Sequence, residues 1–338
     1  MKIVLALPQA LTSLFVVTTE REPFDVSSVP WRVGAPHRKA AIRALGSPPL
    51  LVTHHPSRWK SGTADLTADE RRLVRRSRQH IVVSTTAPPH DLPDSVQVAR
   101  ATARAIAREC HGPLIDPLTG VTVPTCERSE GEPVDFDLDD DWLGWDVHTR
   151  DAAACPRWSP PAGSPAGTAP CWEAAGAGPC ESLTVTSRGL QRFALPEITI
   201  EGAACAHSLC ATGLLRAVAR RLVTDHLAFV AAHPDARRRT IDDHLRIEPS
   251  LPYGGAPFGV RLTPCEPSPS KPGGAGGIGR LKVGPTGGAG QVTCLRVGPP
   301  SGFTGSLNDW LWGIQEASRA ALTSSGAHIP EPSPVLAA

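Results

Sequence analysis

Between His80 and Asp116 the apolar period of this 338-residue chain changes twice, and few folds accommodate both changes. His80-Ile-Val-Val-Ser-Thr-Thr86 is rich in β-branched residues and reads as a strand. Ala87-Pro-Pro-His-Asp91 turns the chain out of it. From Asp91 to Cys110 apolar residues recur at three and four: Val96, Ala99, Ala103, Ile106 and Cys110 fall on one helix face. Pro93 suits the first turn of that helix and Gly112 its end. Leu114-Ile-Asp116 is a short strand. The result is a β-α-β unit, right-handed if its strands are parallel. With one apolar face, the helix is expected to turn Arg100, Arg104 and Arg108 toward solvent.

A second strand–helix block follows at Leu183–Thr186, Glu197–Glu201 and a helix from about His207 to Ala232, with Leu214, Leu215, Val218, Leu222, Phe229 and Val230 on its buried side. Leu11–Thr19 reads as a buried first strand. Thr67-Ala-Asp-Glu70 is a capping box opening a basic helix to about Arg78. Ser306-Leu-Asn-Asp309 caps a last helix to about Leu322, and Thr240-Ile-Asp-Asp243 a short one. Val82, Val96, Ala99, Ile106, Leu215, Val218 and Leu222 are expected in the core.

The 31 Gly and 35 Pro residues concentrate between these blocks. The expected organisation is a first α/β lobe over 1–125, an acidic then Pro/Gly-rich mobile insertion over 126–180, and a second lobe over 181–322. A Gly-rich linker interrupts the second lobe at 264–279, and a disordered tail occupies 323–338. Segments 273–286 and 287–300 repeat one another at eight of fourteen positions, each ending in a Leu-Lys/Arg-Val run, which suggests a glycine-turned β pair. The fold class is α+β: a mixed sheet with helices packed on it, built around the two strand–helix blocks.

Net charge is +1, with 16 basic and 10 acidic side chains in 1–125 but 2 and 10 in 126–155. No whole-chain field favours nucleic acid or an anionic membrane, and no apolar run approaches the ~20 residues of a membrane span. Nine irregularly spaced cysteines fit a reducing, cytoplasmic setting. Ile3 to Val17 loosely imitates a signal peptide, but Pro8 and Gln9 interrupt it and no small-x-small site follows.

The acidic run holds the candidate metal ligands. Asp135, Asp137 and Asp139 alternate, so a strand would put three carboxylates on one face, an oxygen cluster suited to a divalent cation. The spacing is similar to a calcium loop, but Asp140 stands where Gly is needed and Asp146 where a bidentate Glu is needed. A solvated acidic edge is the competing reading. Trp142 and Trp145 are expected to pin the segment to the core. Cys205-Ala-His207-Ser-Leu-Cys210 offers three soft ligands where structural zinc needs four; buried thiols at a helix entrance explain it as well. Gly274-Ala-Gly276-Gly-Ile-Gly279 has dinucleotide-fingerprint spacing without the strand before it or the helix after it, so no cofactor is expected there. His54-His55 and Asp243-His244 are possible acid–base pairs. A Ser/His/Asp set is recognised by geometry, not by order in the chain.

His80–Ala87 with its helix, and Thr186-Ser-Arg-Gly-Leu-Gln-Arg-Phe-Ala-Leu-Pro-Glu197 with the helix after it, together resemble a bacterial family of domains of unknown function carrying a Gly-Leu-x-x-Phe-Gly-Leu-Pro-Glu segment. Here Ala194 stands in the Gly position. The resemblance covers roughly 80–232 and implies a shared α/β fold, with no activity, cofactor or catalytic residue to carry over. The leading functional expectation is a non-catalytic binding or interaction protein of unidentified partner. The alternative is a metal-assisted hydrolase using Asp135, Asp137 and Asp139.

Overall fold

The computed structural model describes residues 1–20, 25, 28–60, 66–125, 131–138, 142–150, 182–248, 257–266 and 292–324. Of the expected mobile insertion over 126–180, residues 126–130, 139–141 and 151–180 lie outside these residues, whereas 131–138 and 142–150 are described and Gly144–Arg150 is a strand. The glycine fingerprint, the first repeat copy and the tail beyond Ser324 also lie outside them.

Five strands form one antiparallel sheet in the order β3 (Leu51–His55), β4 (Gln79–Ala87), β2 (Leu11–Thr19), β5 (Leu114–Asp116) and β6 (Val121–Val123). β4 and β5 both run antiparallel to β2, which lies between them, so they run parallel to each other, as the β-α-β reading requires. Six strands form a second, mixed sheet in the order β11 (His244–Ile247), β12 (Phe258–Cys265), β13 (Cys294–Gly298), β9 (Glu197–Ala204), β8 (Ser182–Arg188) and β7 (Gly144–Arg150); only the β13–β9 pairing is parallel. β1 (Lys2–Ala6) pairs with β10 (Arg238–Asp242), tying the start of the chain to its second half. The class is α+β, as expected.

α4 (Asp94–Cys110) packs on β2 and β4, and α1 (Val29–Arg32) and α2 (Ala35–Ala44) lean on α4. α5 (Ser208–Ala232) and α6 (Leu307–Ser324) pack on β9. α3 (Ala68–Arg76) lies on the other face of the first sheet, where Leu66 and Val74 meet Ile115 and Trp59. The capping box opening α3 is formed as expected, and Ser306 with Asp309 opens α6 in the same way. One apolar cluster runs from Ile3 through both sheets to Leu311. No helix among the described residues is long and apolar enough to cross a membrane.

Several expectations need correction. The Asp91 start of the long helix moves to Asp94, because Pro89–Asp91 forms a separate 3-10 turn. Val82 is only half-buried; its neighbours Ile81 and Val83 face the core, since a strand's alternation admits one phase and β4 takes the other. Thr240–Asp243 caps no helix, because Arg238–Asp242 is the strand that pairs with β1. The second repeat copy supplies β13, whose two sides are occupied by β12 and β9; the first copy, and with it the expected β pair, lies outside the described residues.

The largest correction concerns α4. Arg100 and Arg104 are 1% and 7% exposed rather than solvated. Arg100 grips Glu132 through two hydrogen bonds of 2.9 and 2.6 Å, and Arg104 approaches the same carboxylate at 3.3 Å. The Arg100 guanidinium stacks 3.3 Å from the centre of the Trp142 ring. A helix buried on nearly every side can carry arginines inward only where a carboxylate meets them. Its end is set by close approach: His111 takes the left-handed position, and any side chain at Gly112 would strike the Thr18 carbonyl, 2.0 Å from the Cβ position.

Ile106 is fully buried in the main cluster. Ile106→Ala is expected to lower the unfolding free energy by about 2–5 kcal/mol, since the packed surroundings collapse only partly into the hole. Denaturant unfolding measures this, and a change below 1 kcal/mol would be inconsistent with the packing described.

Candidate functional site

The acidic run does not form the expected strand. Residues 134–138 are irregular, so strand alternation does not align their carboxylates. Asp135 and Asp137 are exposed, and Asp137 lies 3.3 Å from the Arg220 guanidinium on α5. Asp139 lies outside the described residues. Leu138 and Trp142 are buried, and Phe136 packs tilted against Trp142 and edge-on against Phe193, so apolar side chains anchor the segment. Among the described residues no group of three or more His, Cys, Asp or Glu side chains could hold a metal ion. Cys205 and His207 sit in a 3-10 turn, and Cys210 lies in the first turns of α5, with Cys210 donating to the Leu311 carbonyl at 3.5 Å.

A groove lies where α3, the C-terminal turn of α4 and the β5–β6 hairpin meet. Its cavity volume is about 560 Å³, within the range of small-molecule sites. Leu73, Pro113 and Pro124 supply apolar wall, with Ala107, Leu114 and Val123 buried behind it, while Glu70, Arg108 and His111 supply charge or hydrogen bonding. The Glu70 carboxylate holds the groove together. It accepts hydrogen bonds from the Thr67 amide (2.7 Å) and hydroxyl (2.8 Å) at the cap of α3, and one from the Thr122 hydroxyl on β6. Burial pushes the Glu70 acid upward, but these donors outweigh it and hold the carboxyl below its ordinary range. Beyond Arg108 and His111 a second hollow of about 340 Å³ opens, lined also by Arg32 and Glu109, which pair at 2.7 Å.

A second polar cluster forms where the N-terminus, the β10–β11 junction, β12 and the turn after β13 converge. The Ser301 hydroxyl lies 2.7 Å from His244 Nε2, and His244 Nδ1 lies 3.1 Å from Asp243 Oδ1. The same carboxylate oxygen accepts a 2.6 Å hydrogen bond from the Met1 ammonium, and Arg261 stands 3.7 Å from the other oxygen. The ammonium bond first, and His244 beside it, hold the Asp243 carboxyl below its usual range. Of the two acid–base pairs expected from sequence, Asp243-His244 is thus joined into a Ser–His–Asp relay. His54 instead bonds Gln79, and His55 stacks on His80 with ring centroids 4.7 Å apart. Sequence reading misses Ser301 and the groove because their members come from segments far apart in the chain.

Asp137→Asn is expected to change stability by no more than ~0.5 kcal/mol, because the ion pair it breaks is solvent-exposed. Thermal melts with Mg²⁺, Ca²⁺ and chelator check this; an ion-dependent rise in melting temperature lost in the variant would restore the metal reading. No family model, curated protein or solved structure matches this chain.

Proposed function

We propose that the chain is a binding protein whose ligand occupies the groove between α3, α4 and β5–β6. The observation that carries this reading is the hollow itself: about 560 Å³, open to solvent, with Leu73, Pro113 and Pro124 on its wall and a few polar groups at its edge. Apolar walls select an apolar body. Arg108 and His111 at the rim select an acidic head, a carboxylate or a phosphate, because guanidinium and imidazole donors match those oxygens. The Glu70 carboxylate keeps its charge under its three donors and repels an anion, so the head sits at the Arg108–His111 end of the groove. The segment 1–125 that builds the groove carries an excess of positive charge, which adds attraction for an anion.

The test is a thermal-shift titration with medium-chain carboxylates and alkyl phosphates. A ligand of the native state raises the melting temperature. Leu73 is 45% exposed, so Leu73→Asp is expected to leave the unliganded melt nearly unchanged while placing a like charge in the groove. Loss of the ligand-induced shift in this variant is the expected result. A shift that survives Leu73→Asp, or no shift with any of these amphiphiles, rejects the assignment.

A second reading, a hydrolase acting through a nucleophilic serine, is favoured by the Ser301–His244–Asp243 hydrogen bonds, whose order suits proton removal from the serine. It ranks below the groove because Ser301 is exposed, and water-excluded enclosure gives such a relay most of its strength. Under this reading a fluorophosphonate probe labels Ser301, and His244→Gln cuts labelling at least about 100-fold. Equal labelling of Ser301 in both proteins sinks it.

A further inference from the structure

We propose that Cys265 and Cys294 form a dithiol that closes to a disulfide by exchange with a low-molecular-weight disulfide. The two residues stand directly opposite each other at the end of the antiparallel β12–β13 pair. Such partners have Cα atoms ~4.5–5.5 Å apart, inside the ~4.4–6.8 Å span that a disulfide bridges. Both thiols are free, and they hydrogen-bond to each other. They lie on the face of the sheet away from Leu262, Leu295 and Val297, since alternation puts those three on the core side.

Their surroundings are unequal, and this sets an order of events. Cys294 is 1% exposed, whereas Cys265 is only partly covered. Cys265 as thiolate therefore attacks the reagent disulfide first, giving a mixed disulfide and one released thiolate. Cys294 then loses its proton to solvent and attacks the Cys265 sulfur, expelling the second reagent thiolate. Two protein thiols are oxidised by two electrons, one reagent disulfide is reduced to two thiols, and the released protons match the two thiolates formed.

Burial pushes both thiols above their ordinary range. The charged groups facing the pair are Glu197 and Glu201 on β9 and Arg296 on β13; both carboxylates oppose thiolate at Cys294, whereas Glu201 opposes it and Arg296 favours it at Cys265. Exchange is accordingly slow near neutral pH and quickens as pH rises. The closed bond ties together the two ends of the connection 266–293, holding β12 and β13 in register where that connection leaves the sheet. Loop closure of this kind constrains the unfolded chain and stabilises the folded one.

The test uses the full chain incubated with oxidised glutathione, then alkylated and mapped without reduction. The expected product is a peptide pair joined through Cys265 and Cys294, accompanied by a rise of several degrees in melting temperature that dithiothreitol reverses. Cys265→Ser is expected to lose both the linked peptide and the rise, and Cys294→Ala is a second variant should the first fold poorly. Recovery of Cys265 only as its glutathione adduct or as free thiol, or its linkage to any other of the nine cysteines, overturns the proposal.

Discussion

Buried charge around Trp142 is the constraint on which the rest of the structure depends. Arg100 and Arg104 converge on Glu132, and Arg192 pairs with Asp116, with all five side chains at most 8% exposed. Arg100 and Arg192 both lie over the Trp142 ring. Leaving one member of such a pair without its partner costs about 3–5 kcal/mol, a sizeable fraction of a domain's stability. That cost measures a stranded charge and not a net gain from the pair, so the pairs act by fixing which segments must meet. Arg192 belongs to the 3-10 turn between β8 and β9, and Asp116 to β5, so their bond joins one sheet to the other.

That junction is kept in place by further polar contacts. Asp116 also accepts from the Leu118 amide at 3.0 Å, shaping the turn into β6. Glu197 accepts from the Gly189, Leu190 and Gln191 amides and from Ser187, fixing the turn that presents Arg192. Burial raises the Glu197 acid against the pull of these donors. The Gly-Leu-x-x-Phe-x-Leu-Pro-Glu segment is thus a folded unit: Leu190, Phe193 and Leu195 enter the core, and its glutamate closes the loop. The groove inherits this order, because β5 and β6 form one of its sides while Asp116 anchors the turn between them.

Legibility in the sequence followed the range of the interaction. The period of β4 and α4, the capping boxes of α3 and α6, and the strand–helix order of both blocks rest on neighbours within a few residues. Local sequence places them to within a turn. The face of Val82 is not legible, because a run of β-branched residues marks a strand without stating which face is inward. Nor is the inward turn of Arg100 and Arg104, because their counter-charge, Glu132, lies about thirty residues away, in a stretch that composition alone marks as acidic and loose. Nothing local distinguishes an arginine that will meet a buried carboxylate from one that will meet water.

What the sequence determined by itself is the class of fold and the position of its main elements, because backbone propensity, capping and apolar period are properties of short segments. Tertiary structure alone decided the sheet order, the insertion of β2 between β4 and β5, and the inward turn of two arginines. It also decided every candidate site. The groove needs α3, α4 and β6 together, the Ser301–His244–Asp243 relay needs the β10–β11 junction and the turn after β13 brought to one point, and Cys265 meets Cys294 only through strand register. Chemistry of that kind depends on distances of a few ångströms between residues far apart in the chain, and those distances come into being only when the sheets have paired.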